Sequence, residues 1–264
     1  MAPGYETILF EVGEDHVATL TLNRPEQLNS FTERMAAEVT EVWEFVRDTD
    51  TVHSVVLRAS GERAFCTGID IKAGRWWGEQ NVWNQVDPGA ALGPKHHKVW
   101  KPVVAAVHGM CAGGAFYWIN ECDIVIGSED ATFFDPHVTY GMTSALEPIG
   151  MTYKMPLGDV LRMVLLGNDE RISAHSALRM GIISEVVPLD ALWDRARHLA
   201  SIIAAKPSAA TAGSVKAIWE SLDLPRSVAL ATGLKYCLLG NAIGVPQVNR
   251  ETLMADKAKK FEVR

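Results

Sequence analysis

The sequence predicts a mixed α/β core followed by a helical C-terminal subdomain. Three observations carry this. In the stretch Lys101 to Gly127, KPVVAAVHGMCAGGAFYWINECDIVIG, the run Val103 to Val107 is small and β-branched and reads as a buried strand that feeds a helix. Short apolar or alternating segments fill the chain before Leu189, and a helical pattern runs from there to the end. No internal repeat or low-complexity linker interrupts them. We place the core at residues 1–200 and the helical subdomain at 201–264.

Taken in order, Tyr5 to Val12 and His16 to Leu22 alternate apolar and polar residues around Gly13-Glu14-Asp15, the pattern of a β-hairpin. Pro25 stops the second strand because it cannot donate to the ladder. Thr32 is placed to cap a helix whose apolar positions are Met35, Val39, Val42, Trp43 and Val46. Strands are expected at Ser54 to Ala59 and, after the Gly61-Glu62 turn, at Phe65 to Ile71. The segment Gly74 to Trp100 carries Trp76, Trp77, Trp83 and Trp100 between glycines and prolines. It reads as a partly helical cover over a pocket, or as tryptophans packed on the core.

His108-Gly109 ends the central strand, and Gly113-Gly114 lets the chain turn into a helix over Ala115 to Glu121. A new strand begins at Cys122. A short strand at Ala131 to Phe134 ends in Asp135-Pro136, read as a turn. Helices are expected at Leu157 to Leu166 and Ser173 to Met180, with a late strand at Ile182 to Val187. The strand–glycine–helix passage leaves backbone N–H groups at a helix N-terminus, a place suited to an anion or a developing oxyanion. The same glycines also serve close helix–strand packing.

Composition excludes some classes. The chain has 264 residues, 48% hydrophobic and 22% charged, as in ordinary globular domains. A net charge of -7 offers no basic stripe for nucleic acid. Cys66, Cys111, Cys122 and Cys237 show neither CxxC spacing nor a disulfide framework, so buried thiols in a reducing cytoplasmic compartment are expected. The N-terminus lacks a signal-peptide pattern, and the uninterrupted apolar runs fall short of the about 18 residues of a membrane span. His96 and His97 read as a solvated pair, and no metal site is expected.

Several stretches together resemble one family. RPEQLNSF (Arg24 to Phe31), AFCTGIDIK (Ala64 to Lys72), KPVVAAVHGMCAGGAF (Lys101 to Phe116), CDIVIGSEDATFFDP (Cys122 to Pro136) and LLGNDERISAHSALRMGIISEVV (Leu165 to Val187) are similar to the crotonase (enoyl-CoA hydratase/isomerase) superfamily. The terminal KAKKF resembles its basic tail. The resemblance implies a crotonase-like spiral of ββα units with a helical C-terminal trimerisation subdomain, assembled as a homotrimer or dimer of trimers. It implies acyl-CoA substrates, with coenzyme A as part of the substrate and no permanently bound cofactor. The thioester oxygen would be held by the N–H groups of Ile69 and Gly114. Arg24, Gln27, Leu28, Thr67, Gly68, Asp70, Lys72 and Gly113 would line the coenzyme A and substrate, and Lys257, Lys260 and Phe261 would reach a nucleotide.

The sequence departs from the family where hydratases carry two glutamates: those positions are Tyr117 and His137. Two carboxylates share the protons of a water, and a tyrosine with a histidine cannot share that job in the same way, so standard 2-enoyl-CoA hydration is not expected. His137, with Glu147 ten residues on, forms a candidate apparatus for activating water, and Tyr117 either donates to substrate or fills the pocket. The alternatives to the acyl-CoA enzyme are a retro-Claisen C–C hydrolase of a cyclic diketone or keto-acyl-CoA using His137 and Glu147, and a non-catalytic acyl-CoA-binding protein. Each residue also has a structural alternative: a core histidine, a helix-terminal carboxylate and a core aromatic.

Overall fold

The computed structural model describes residues 4–74, 83–255 and 262–263. It comprises two compact units, divided after Ala204. In the first, β1 (Ile8–Val12) and β2 (Val17–Leu22) form the hairpin that their alternation predicts. Helix α1 (Glu33–Asp48) begins at Thr32, whose side chain accepts from the Met35 N–H at 3.3 Å. All five of its anticipated apolar positions are buried.

From there the chain alternates between two sheets. β3 (Ser54–Ala59), β5 (Val103–Val107) and β7 (Ile124–Ser128) join the larger sheet in parallel. β4 (Ala64–Cys66), β6 (Met110–Ala112) and β8 (Thr132–Phe134) each follow one of these and build the smaller sheet. This repeated corner makes the expected spiral. β9 (Ile172–Ser173) closes the small sheet antiparallel to β8, and β10 (Glu185–Val187) extends the large one beside β7.

Both faces of the central strands β2, β3, β5 and β7 are buried, which explains their mostly apolar runs. Val55, Leu57, Val103, Ala105 and Val107 face the main core with α1 and α2 (Phe116–Glu121). Val56, Val104, Ala106 and Ile126 face the other side, where α6 (Leu192–Ala204) lays down Leu192, Ala196, Ala200 and Ala204. That four-residue spacing keeps small side chains on one stripe, so the helix packs close to the strands. Between β8 and α6 lie α3 (Leu146–Met151), α4 (Leu157–Leu166) and α5 (Ala174–Met180).

Four local expectations are corrected. The strand expected over Phe65 to Ile71 stops at Cys66, because Gly68 takes a left-handed φ of 87° and the chain enters a 3-10 turn at Ile71–Ala73. After His108-Gly109 ends β5, the chain extends again as β6, a short strand absent from the sequence expectations. Helix α3 was not anticipated. Pro148 is tolerated in its first turn, where N–H groups have no intrahelical acceptor. The segment 83–100 is irregular apart from a 3-10 turn at Ala90–Leu92; Trp83 is exposed, Trp100 is half-buried, and Trp76 and Trp77 lie outside the described residues.

The second unit contains α7 (Ser208–Ser221), α8 (Arg226–Gly244) and α9 (Arg250–Ala255). Close approaches of Gly213 to Tyr236, Gly240 to Ala209 and Gly244 to Ala210 make α7 and α8 an antiparallel hairpin. Their outer faces leave Ile218, Leu230, Leu234, Leu238 and Ile243 exposed. Cys237 is exposed here as well, whereas Cys66, Cys111 and Cys122 are buried as expected. Arg226–Gln247 is, by length and composition, apolar enough to cross a membrane at a mean hydropathy of 1.4. Counting only uninterrupted apolar runs missed it, because Lys235 breaks the run.

Gly109 makes the corner from β5 to β6 at a φ of 55°, and a Cβ there would lie 2.3 Å from the Arg63 carbonyl oxygen. Gly109→Ala is expected to lower unfolding stability by about 2 kcal/mol or more, read from denaturant midpoints.

Candidate active site

The site grows from a backbone contact. Phe31 N–H donates to Gly68 O at 2.8 Å, and Asp70 N–H donates to Phe31 O at 2.9 Å. Phe31 therefore bridges in parallel to Ile69 through the neighbours of Ile69, which turns the Ile69 N–H away from that strand. On this side lies Gly114, in the 3-10 turn Gly113–Ala115 that leads into α2. A Cβ on Gly68 would sit 2.9 Å from the Gly114 nitrogen, so only glycine lets the two segments meet. The structure thus brings together the segments that carry the two expected oxyanion donors.

Beside this contact is a cluster of ionisable side chains. Asp135, fully buried after β8, accepts from His137 Nδ1 at 2.6 Å, from the His137 N–H at 3.0 Å and from Ser144 Oγ at 2.6 Å. An ionised carboxylate only accepts, so Nδ1 carries a hydrogen and Nε2 faces the other way. There it meets Glu147 Oε1 at 3.7 Å, too long for a direct hydrogen bond. An oxygen set to one side can reach both groups. The ring lies against the double glycine: a Cβ on Gly113 would be 3.7 Å from His137 Cε1.

Helix α2 supplies the opposite wall. Tyr117 packs flat on Gly89 and donates its hydroxyl hydrogen to Asp87 Oδ2 at 2.9 Å. That single hydrogen lies on Asp87 here, while the expectations for Tyr117 are donation to substrate or filling of the pocket. One turn on, Asn120 Nδ2 donates to the Glu147 carbonyl at 2.8 Å and fixes α3 against α2. Glu121 then accepts from the N–H groups of Lys95 and His96 and holds the segment before β5.

The electrostatics follow from this packing. The Asp135 hydrogen bond raises His137 above its ordinary value against the pull of burial, with the charges of Asp135, Glu147 and Asp87 adding to it. Burial pushes Asp135 up, but the hydrogen bonds from His137 and Ser144 outweigh it and hold the carboxyl low. Burial raises Glu147, and the nearby Asp135 and Asp87 charges reinforce that against His137. Tyr117 is raised by burial and then by Glu147 and Asp87.

The remaining expected residues form a rim. Arg24 pairs with Asp70 at 2.9 Å and donates to Ser30 O, so its charge is matched by Asp70. Buried Asn29 pins this loop through Ser60 O and Ala64 O. Gln27 and Lys72 are exposed, while Leu28 and Thr67 are half-buried. His96 is exposed but His97 is half-buried on Ala91 O at 2.7 Å, which corrects the solvated pair. Among the described residues no metal-ligating group converges. Lys257, Lys260 and Phe261 lie outside the described residues.

Comparison with known proteins decides the family. The profile described as enoyl-CoA hydratase/isomerase matches residues 13–245. The chain belongs to the enoyl-CoA hydratase/isomerase family. It is 35% identical to the (E)-benzylidenesuccinyl-CoA hydratase of Thauera aromatica, over 84% of each chain. It is 33% identical to the 1,2-epoxyphenylacetyl-CoA isomerase of Escherichia coli K12, over 77% of this chain and 78% of that one. A crystal structure of an enoyl-CoA hydratase/isomerase from Mycobacterium paratuberculosis superposes with a TM-score of 0.86 at 32% identity, covering 99% of this chain and 100% of that one. The chain is thus a member of a family of acyl-CoA enzymes.

Within this enoyl-CoA hydratase/isomerase frame, sequence reasoning missed Asp135 and Asp87. Asp135 had been read as a turn residue because Asp-Pro is a turn signal; instead its side chain points into the core and holds His137. The two-residue spacing D-x-H was the available signal. Asp87 offered none.

The Asp135–His137 pair sets a pH dependence. The raised His137 contributes stability that is complete below 6.5 and lost as pH rises through its native value. The lowered Asp135 contributes stability present above 3.8 and lost as pH falls through its native value. In Asp135→Asn the His137 midpoint is expected to fall below its wild-type value, read from the imidazole Cε1–H shift by NMR. An unchanged midpoint would remove Asp135 from its role.

Proposed function

We propose that this enzyme adds water to the alkene of a bulky 2-enoyl-CoA thioester, or removes it. The observation that carries the reading is His137, held at Nδ1 by Asp135 with its Nε2 opposite Glu147. The thioester oxygen accepts from the N–H groups of Ile69 and Gly114, which stabilise the enolate as charge develops. Glu147, as carboxylate, takes a proton from water while the hydroxide adds at C3. The protonated Nε2 of His137 gives its proton to C2. The glutamate pair of ordinary hydratases is replaced by a cation–carboxylate pair.

The Thauera aromatica relative is named for benzylidenesuccinyl-CoA, whose alkene carries a phenyl group, and the Escherichia coli relative for a phenylacetyl thioester. These names support an aromatic acyl group. The coenzyme A moiety is assigned to the rim of residues 24–28 and 67–72, and the exposed apolar faces of α7 and α8 to contacts between copies in a trimer or dimer of trimers. The Asp135–His137 hydrogen bond favours a second reading, in which the same histidine activates water for C–C cleavage of a cyclic keto-acyl-CoA. A protein that only binds acyl-CoA has no use for an oriented acid–base pair.

Two experiments test the reading. The protein is incubated with crotonyl-CoA, an aryl-substituted enoyl-CoA and a cyclic β-keto-acyl-CoA, and products are followed by mass. Gain of water on the aryl substrate is expected, with His137→Ala at least ~100-fold slower. Ring opening would replace hydration by the second reading, and full activity of His137→Ala would sink both. Gly68→Ala, whose Cβ would strike the Gly114 nitrogen, is expected to cut kcat by ~100-fold, and normal turnover would remove these donors from the mechanism.

A further inference from the structure

Gly68 is buried, and its left-handed φ of 87° makes the turn that leads into Ile69. Glycine rotates about its own dihedrals more freely than any other residue, so such a turn keeps its direction only where neighbours hold it. Two peptide planes meet at its α-carbon. The first carries the Gly68 N–H, which donates to Cys66 Sγ at 3.3 Å. The second carries the Gly68 carbonyl and the Ile69 N–H, which point in opposite directions across a planar trans peptide. That carbonyl accepts from the Phe31 N–H at 2.8 Å and, more weakly, from the Cys66 thiol at 3.9 Å. One sulfur therefore meets both planes, and with them both dihedrals of Gly68.

The thiol is itself firmly placed. Cys66 is fully buried at the end of β4, in register with Cys111 of β6, the strand that runs on to Gly114. Burial pushes the thiol up to about 12, so the sulfur keeps its hydrogen and can accept from one group while donating to another. Its contact with the N–H two residues on is the one that serine and threonine hydroxyls make in turns. We propose that Cys66 is a positioning residue for the oxyanion hole, its thiol clamping the Gly68 turn so that the Ile69 N–H is aimed at the thioester oxygen. Donors on the Gly68 carbonyl also polarise the shared peptide and make the Ile69 N–H a stronger donor. Cys66 acts on the reaction through this peptide alone. The clamp rests on the reading above in which Ile69 and Gly114 hold the thioester oxygen.

Substitution separates this role from simple packing. Cys66→Ala removes the acceptor, Cys66→Val fills the space without one, and Cys66→Ser restores an acceptor at the same point of the turn. On an aryl-substituted enoyl-CoA, kcat of the alanine and valine variants is expected to fall about 10-fold with KM little changed, and Cys66→Ser to recover most of it. A readout independent of turnover is the thioester carbonyl stretch of bound 3-phenylpropanoyl-CoA, carbon-13-labelled at that carbonyl, which has no alkene to hydrate. In the wild type the band is expected to move to lower wavenumber on binding, as two N–H groups draw on the oxygen. In Cys66→Ala and Cys66→Val it is expected to return part of the way to its free position. Lost packing alone lowers the thermal midpoint and leaves the band unchanged. A bound band at the wild-type position in both variants would therefore overturn the clamp and leave the oxyanion reading standing. A wild-type band that does not move on binding would overturn both.

Discussion

The Asp135 carboxylate is fully buried, and a buried charge is tolerated only where hydrogen bonds and a counter-charge replace the lost water. Three donors do this here, and two belong to His137. The third, Ser144, lies just before α3, so the same carboxylate ties the chain leaving β8 to the helix that carries Glu147. Local solvation therefore fixes three things at once. It sets the tautomer of His137, the outward direction of Nε2 and the closure of the loop that brings Glu147 opposite. Without the carboxylate the imidazole would be a half-buried ring with no reason to hold one orientation.

Helix α2 is the second constraint, and it works through its side chains rather than its length. In six residues it presents Tyr117 to Asp87, Asn120 to the Glu147 carbonyl and Glu121 to the N–H groups of Lys95 and His96. Its N-terminal turn supplies Gly113 and Gly114. The segment before β5, the helix bearing Glu147 and the putting of backbone against Gly68 are thus all referred to one short element. Because α2 is buried through Phe116, Trp118 and Ile119, these contacts are set by core packing. A site assembled in this way gains its precision from the core and little from its loops.

What was legible in the sequence was what local physics decides. Thr32 caps α1 because a threonine oxygen before an apolar helical pattern meets an N–H without an acceptor, and Val103–Val107 is a strand because β-branched and small residues fit a sheet covered on both faces. Ser54–Ala59 was readable for the same reason. The spiral and its family were legible through the stretches Arg24 to Phe31, Ala64 to Lys72, Lys101 to Phe116, Cys122 to Pro136 and Leu165 to Val187, whose resemblance implies them. Asp135 was not, since the same Asp-Pro pair that ends a strand in a turn also turns a side chain inward, and burial is not written in a dipeptide. Asp87 lies among glycine, proline and tryptophan without periodicity, and only its meeting with Tyr117 gives it meaning. Helix α3 hid behind Pro148, a residue that breaks helices everywhere except near their start.

A histidine beside a carboxylate gives a site a charge logic different from that of two glutamates. Two carboxylates near one water repel, and one must hold a proton for the pair to persist. Here Asp135, Glu147 and Asp87 surround His137, so a fourth anion at residue 137 would crowd the cluster further, whereas an imidazolium relieves it. The Asp135 hydrogen bond, with the surrounding charges, raises the histidine, and burial raises Glu147. In the proposed hydration such a pair would give one proton and take one at each addition. The acid–base asymmetry that two glutamates must create by sharing a proton is built into the residue types themselves.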